Sequence, residues 1–130
     1  MATERAKLDK QILDLWSLCA RTRDRKCRNC GKDEDLQAHH ICQKTYKPTR
    51  YYLDNALTLC RGCHFPEKIR FEAFRAMVIS VIGQAKYDRM HNIGYNMGRP
   101  FKYTISELRT IKAELQAKLK SLQSDYGELQ

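Results

Sequence analysis

A chain of 130 residues with 24 lysines and arginines against 15 acids carries a formal charge of +9, a balance that favours a polyanionic partner, nucleic acid first. Its mean hydropathy of −0.65 limits the apolar core that one domain of this size can build, so something besides hydrophobic burial must help to hold it. The first ten residues lack the apolar centre of a signal peptide and the longest apolar stretch, 76–82, is too short to cross a bilayer, which predicts a cytosolic protein with no membrane partner.

In chain order, Leu8, Ile12, Leu15, Trp16 and Cys19 are spaced by three or four and predict an amphipathic helix over residues 3–20. The run that follows, 21–28, holds five basic residues and one acid. Arg21, Arg23, Arg25 and Lys26 in it are candidate phosphate contacts, with a solvated charge run as the plainer alternative. Cys27 and Cys30 form the first Cys-x-x-Cys pair and Cys60 and Cys63 the second. In a reducing compartment these read as four thiolate ligands of a structural zinc rather than as disulfides, and Gly31 and Gly62 suit the tight knuckles that such ligation needs.

The pairs are separated by 29 residues, longer than the roughly 15–20 of a plain zinc ribbon, and the extra length holds His39, His40 and Asn55. Segments 36–41 and 56–60 read as two antiparallel strands. The loop between them carries Lys44, Lys47 and Arg50 among Tyr46, Tyr51 and Tyr52, a mixture able to grip a sugar-phosphate backbone, although tyrosines beside a strand as often serve packing. Arg61, inside the second knuckle, is a further candidate DNA contact. A proline near the first turn, apolar residues at helical spacing and Gly83 just past the end predict a helix over about 65–82, with His64 at its N-terminus. Residues 84–103, interrupted by Gly94, Gly98 and Pro100, read as a connecting arm. Thr104 and Glu107 form a capping box, and Ile105, Leu108, Ile111, Leu115, Leu119 and Leu122 mark a helix to about 124 with a narrow, nearly heptad seam. That seam fits either the N-terminal helix or a second copy of the chain, and a homodimer through it is expected.

Phosphodiester hydrolysis needs a base to activate water, a cation to neutralise the phosphate, and groups that fix both. His40 can serve as the base and His39 and His64 as ligands of a second, catalytic divalent ion. Mg²⁺ or Mn²⁺ is expected there, with Zn²⁺, Ni²⁺ or Co²⁺ compatible with imidazole ligation. Neighbours on a regular strand face opposite ways, so His39 and His40 imply a strand end or a bulge. Asn55 is suited to pin the loop that sets the base, and a turn residue is its plainer reading. Glu67 could approach the ion, but an acid favoured by the helix dipole is the expected role. Cys19 and Cys42 read as small packed residues.

The set His39-His40, Asn55 and His64, framed by Cys27, Cys30, Cys60 and Cys63, resembles the HNH endonucleases, the ββα-metal fold, in their four-cysteine form. The resemblance implies that His39 and His64 bind the catalytic ion, His40 is the general base and Asn55 orients the base-bearing loop. Many members carry a further ligating histidine where this chain has Lys68, which implies a two-ligand site of weaker affinity. The flanks, Leu15-Trp16-Ser17 with 21–24 and Ile82-Gly83 with 102–108 and 111–113, resemble the phage recombination endonucleases of the NinG, or Rap, family. That likeness implies branched DNA, such as Holliday junctions or displacement loops, as substrate, and phage recombination as the setting.

The expected architecture is therefore α+β: an N-terminal helix and basic run over 1–26, a zinc-stapled ββα-metal core over 27–83, an arm over 84–103 and a C-terminal helix over 104–130. The expected function is metal-dependent DNA endonuclease. A zinc ribbon that binds DNA without cutting it, or an HNH nicking or homing-type enzyme acting on duplex DNA, is the alternative.

Overall fold

The computed structural model describes residues 2–96 and 101–129, so Gly98, Arg99 and Pro100 of the expected arm lie outside the described residues. Helix α1 spans Glu4–Asp24. Its start is set by Thr3, whose hydroxyl accepts from the amide of Ala6 at 3.1 Å and so satisfies one of the N–H groups that a helix start leaves open. Leu8, Ile12, Trp16 and Cys19 are buried along one stripe. The helix runs past its expected end at 20 because tertiary bonds hold its last turn: Arg23 donates to the carbonyls of Leu53 and Ala56, each at 2.9 Å.

Strands β1 (Leu36–His40) and β2 (Ala56–Cys60) pair antiparallel in continuous register, from Leu36 opposite Cys60 to His40 opposite Ala56. Every residue of β2 is buried, which follows from its place in the middle of three layers. On one face Ala56 joins Leu8, Ile12, Trp16 and the leucines of the C-terminal helix. On the other, Leu57 and Leu59 pack with Phe74, Val78 and Met90. The two-residue alternation of a strand thus hands successive side chains to two separate cores.

The single helix expected over 65–82 is divided. A helix continuous from residue 61 would carry Pro66 in its interior, where it lacks the N–H to donate and its ring meets the preceding turn. The chain instead makes one short turn, α2 (Arg61–His64), then a 3₁₀ turn over Phe65–Lys68, and restarts as α3 (Phe71–Ile82) after Arg70 leaves the helical region at φ −129° and ψ 64°. Gly83, at φ 89°, ends α3.

Most of the expected arm is also helical. Helix α4 spans Gln84–Asn96 and packs Met90, with Tyr87 and Ile93, onto the hairpin core. Gly94 reads as a breaker in the sequence, but it serves a close approach: a Cβ added there would lie 2.6 Å from Cys42 Sγ and 3.2 Å from Thr49 Oγ1, so only glycine lets α4 sit this near the loop.

Helix α5 spans Ile105–Leu129. Its capping box is formed, with Glu107 N bonding Thr104 Oγ1 at 3.0 Å and Thr104 N bonding Glu107 Oε1 at 2.8 Å. Leu108 and Leu115 are buried against α1, and Ile111, Leu119 and Leu122 pack on the same cluster. An Arg109–Glu4 ion pair and a bond from Lys112 to Gln11 lie along this contact. The seam that motivated a dimer is thus covered by α1 of the same chain. No described helix is long and apolar enough to cross a membrane.

Candidate metal centres

Cys27, Cys30, Cys60 and Cys63 come together where β1 is entered and β2 is left, with all four sulfurs within 4.8 Å of one another. The knuckles form as their spacing requires. Cys30 N approaches Cys27 Sγ at 3.5 Å and Cys63 N approaches Cys60 Sγ at 3.4 Å, while Gly31 adopts φ 81°, the left-handed conformation glycine allows. Asn29 Nδ2 donates to Cys63 Sγ at 3.4 Å. Burial opposes ionisation of Cys27, but surrounding backbone N–H groups draw its thiol down to about 6; burial and the adjacent thiols push Cys63 up to about 12. Four sulfurs gathered within 4.8 Å of one another are a donor set that a structural Zn²⁺ fits.

A second group forms on the α3 side of the hairpin. His39, on β1, and His64, ending α2, bring Nδ1 and Nε2 to 3.3 Å. Glu67 Oε2 lies 2.8 Å from His64 Nε2 and 3.7 Å from His39 Nδ1. Glu67, expected as an acid on the helix dipole, stands in the first turn after His64 and also points a carboxylate oxygen at both imidazoles. The 3₁₀ turn after His64 places residue 67 back over residue 64, and that three-residue spacing is the signal by which the sequence could have shown it. Beside the two histidines expected as ligands, Glu67 is a third side chain that could hold an ion. Gln37 Oε1 lies 2.7 Å from His64 Nδ1, so Nδ1 carries the proton and Nε2 turns its lone pair toward the centre. Burial, with the neighbouring His64 and His40, lowers His39 to about 3, which keeps it a neutral ligand. Two imidazoles and a carboxylate, with room left for water and phosphate oxygen, suit a divalent cation of the Mn²⁺ or Zn²⁺ type, and Mg²⁺ when oxygen completes the shell.

The ring of His40 turns toward α1, although His40 still lines one groove with His39 and Glu67. The strand ends at this residue without a bulge, and the ring stacks on Trp16 with centroids 3.8 Å apart and planes 14° from parallel, whereas His39 meets Phe74 edge-on at 5.0 Å. His40 Nε2 lies 3.0 Å from the carbonyl oxygen of Arg50. A carbonyl only accepts, so Nε2 holds the proton and Nδ1 is the basic nitrogen. Burial lowers His40 to about 4, leaving it neutral near pH 7. Asn55 is fully buried and bonds backbone on both sides: Oδ1 accepts from Cys42 N at 2.7 Å, and Nδ2 donates to Cys42 O at 2.9 Å and Thr49 O at 3.2 Å. The loop that supplies the Arg50 carbonyl is thereby locked to the strand end that carries His40.

The candidate phosphate contacts divide. Arg23 is committed to Asp24, Leu53 and Ala56, and Arg50 to both carboxylate oxygens of Asp9 at 2.8 Å and to the Lys44 carbonyl. Both serve the fold. Arg21 bonds Ser17, and Arg25 forms the left-handed cap of α1. Lys26, Lys44, Lys47 and Arg61 are exposed, and Arg61 lies beside His64 and Glu67 in one concavity of about 430 Å³.

A two-stranded hairpin closed by four cysteines, with an imidazole and carboxylate cluster on one face and helices on both, defines a small α+β domain carrying two groups of side chains that could each hold a metal ion. The chain belongs to the family described as Bacteriophage Lambda NinG protein, whose family model matches residues 3–125. It is similar to protein ninG of Escherichia phage lambda, 31% identical over 111 residues, which are 83% of this chain and 52% of that protein. The chain spans about half the length of that curated relative. No solved structure matches the chain at a significant level.

Proposed function

We propose that the chain is an HNH-type, metal-dependent DNA endonuclease that hydrolyses phosphodiester bonds in branched DNA, such as Holliday junctions or displacement loops, during phage recombination. The observation that carries the reading is the meeting of His39, His64 and Glu67 on a cysteine-clasped hairpin whose next residue, His40, is held as a neutral imidazole. An ion in that cluster would neutralise the scissile phosphate and support the departing 3′ oxygen. His40 Nδ1 would take the proton of the attacking water, and Asn55 would keep the Arg50 carbonyl in place so that this nitrogen stays unprotonated. Gln37 would hold His64 in the ligating tautomer. A charge of +9 supports a nucleic-acid substrate, and membership in the lambda NinG family supports the phage setting. The expected products bear 5′-phosphate and 3′-hydroxyl ends.

Incubating the full chain with plasmid, linear and four-way DNA plus Mg²⁺ or Mn²⁺, with a chelator control, tests the reading. Metal-dependent cutting is expected, fastest on four-way DNA, and His40→Ala should slow it by about 10²–10⁴-fold. A folded His40→Ala protein that binds DNA and cuts at the wild-type rate would remove the base. Binding without any cutting would leave a zinc-ribbon DNA-binding module in place of the enzyme.

A further inference from the structure

A groove of about 480 Å³ opens from His39 and Glu67 and runs between the 43–46 loop, α3 and α4. Its walls are aromatic. Tyr87 lies against His91 with centroids 4.2 Å apart, His91 meets Tyr95 at 5.5 Å, and Tyr95 meets Tyr46 at 4.6 Å. Arg75 covers the Tyr87 ring at 5.4 Å. None of this belongs to the metal cluster, and the sequence reading, which had no helix over 84–96, did not bring Tyr87, His91 and Tyr95 together.

The charges in the groove are mixed, Arg75 against Glu67 and Asp88, and do not form the basic stripe of a backbone track. Glu67 and Asp88 both line it, and carboxylates repel phosphate unless an ion intervenes, as one would at Glu67 but not at Asp88. What the walls offer is flat apolar faces with polar edges. His91 Nδ1 lies 2.8 Å from the Tyr87 carbonyl and so donates to it, which leaves Nε2 as an acceptor. Gln43 and the Asp88 carboxylate add further polar groups, the latter held from behind by Gln84 at 2.9 Å. Acceptors set among tyrosine faces match the exocyclic amines and ring faces of a nucleobase.

We infer that this groove takes one unpaired nucleobase lying next to the phosphate held at His39, His64 and Glu67; the inference rests on the endonuclease reading above and names the feature of the substrate that the site selects. A base inside a regular duplex is stacked and cannot enter. One in a gap or displaced strand, or freed where a pair frays at the exchange point of a junction, can, at little unstacking cost. Selection for branched DNA then needs no recognition of the branch as a shape.

The zinc-loaded full chain, with Ca²⁺ in place of Mg²⁺ or Mn²⁺ so that Glu67 is neutralised, is titrated against two DNAs of one sequence, one with 2-aminopurine unpaired in a gap and one with it paired in duplex. Emission of the unpaired probe is expected to change on binding and that of the paired probe to stay constant. Tyr95→Ser, at a ring 46% exposed and so removable without loss of fold, should weaken binding to the gapped DNA about tenfold and leave duplex binding unaltered, while Tyr95→Phe restores it. Unchanged emission from the gapped DNA, an equal loss on both DNAs, or no DNA binding at all overturns the inference. A responding probe with no cutting in Mg²⁺ or Mn²⁺ leaves the groove assigned and removes the endonuclease. Cutting with a silent probe does the reverse.

Discussion

Two clusters of ligating side chains share one hairpin, and they differ in nearly every respect that separates a structural ion from a working one. The cysteine cluster joins the two ends of the hairpin, receives backbone and Asn29 N–H groups on its sulfurs, and spends four donors on one point, leaving no position for substrate. The His39–His64–Glu67 cluster has three donors of mixed charge and a groove at its edge. Zinc proteins draw the same line between closed four-ligand sites and sites with an open position. What the contrast teaches is that a 29-residue insert between the two pairs lets one cysteine-closed scaffold set the geometry of a second, more open group of ligating side chains.

The largest effect should come from opening the closed cluster. Cys60→Ser removes a ligand and the cap of α2 together. Because structural zinc sites supply on the order of 10 kcal/mol of folding free energy, comparable to the whole margin of a small domain, the variant should lose bound zinc and the dispersed amide spectrum of 27–64. Metal analysis beside an NMR spectrum reads both. A zinc-free Cys60→Ser protein with the wild-type spectrum would break the comparison, since neither cluster would then be structural.

At the open cluster the converse is expected. Glu67→Gln should weaken Mn²⁺ binding at the second site, and Gln37→Ala, which only frees the far nitrogen of His64, should weaken it by about 10–100-fold. Both should keep one zinc per chain and the wild-type melting temperature. Titration calorimetry with Mn²⁺ on zinc-loaded protein measures the affinities. A Glu67→Gln protein that binds Mn²⁺ as before would return the site to two imidazoles and Glu67 to the helix dipole.

The two clusters were also unequally visible in the sequence. Cysteine pairs, His39-His40 and His64 could be read because their geometry is set by neighbours within a few positions, and a hairpin needs little more than two apolar segments to bring its ends together. Glu67 is harder to place from sequence, because its approach to His39 depends on a partner 28 positions away. Helix α4 was missed because its apolar pattern is thin and Gly94 looks like an interruption; its helical state depends on packing Met90 against β2 and α3, a contact between distant segments. Arg23, in a charge run, and Arg50, in a loop of lysines and tyrosines, look like candidate phosphate contacts in the sequence, whereas in the structure both are held by the fold. Their partners, the carbonyls of Leu53 and Ala56 and the carboxylate of Asp9, lie at least 30 positions away, beyond any local pattern.

A smaller effect tests that account of α4. Gly94→Ala puts a methyl 2.6 Å from Sγ of the fully buried Cys42 and should cost about 1–3 kcal/mol. Cys42→Ala removes the opposing sulfur, so the double variant should be more stable than the sum of the single losses predicts. Additive losses in thermal melts would mean that α4 and the loop are not in the contact described.

The smallest effect concerns the face opposite the open cluster. Burial alone would raise the Asp9 carboxyl, but hydrogen bonds from Arg50 and Tyr51 and the guanidinium charge outweigh it and hold the group below its ordinary 3.8. A carboxylate with a depressed folded value contributes stability above its unfolded value and loses it as pH falls through the folded one. Asp9→Asn should therefore cost about 1 kcal/mol near neutrality, with the gap to wild type closing as pH falls below 3.8; a gap that stays constant to lower pH would show that shape, not charge, holds the pair. Asp9 touches no part of the metal cluster, yet it fixes Arg50, whose carbonyl orients His40. If Asp9→Asn slows cutting while Mn²⁺ affinity stays at its wild-type value, the α1 face positions the base and the α3 face holds the ion, and the strand alternation that separates His39 from His40 is what divides the work.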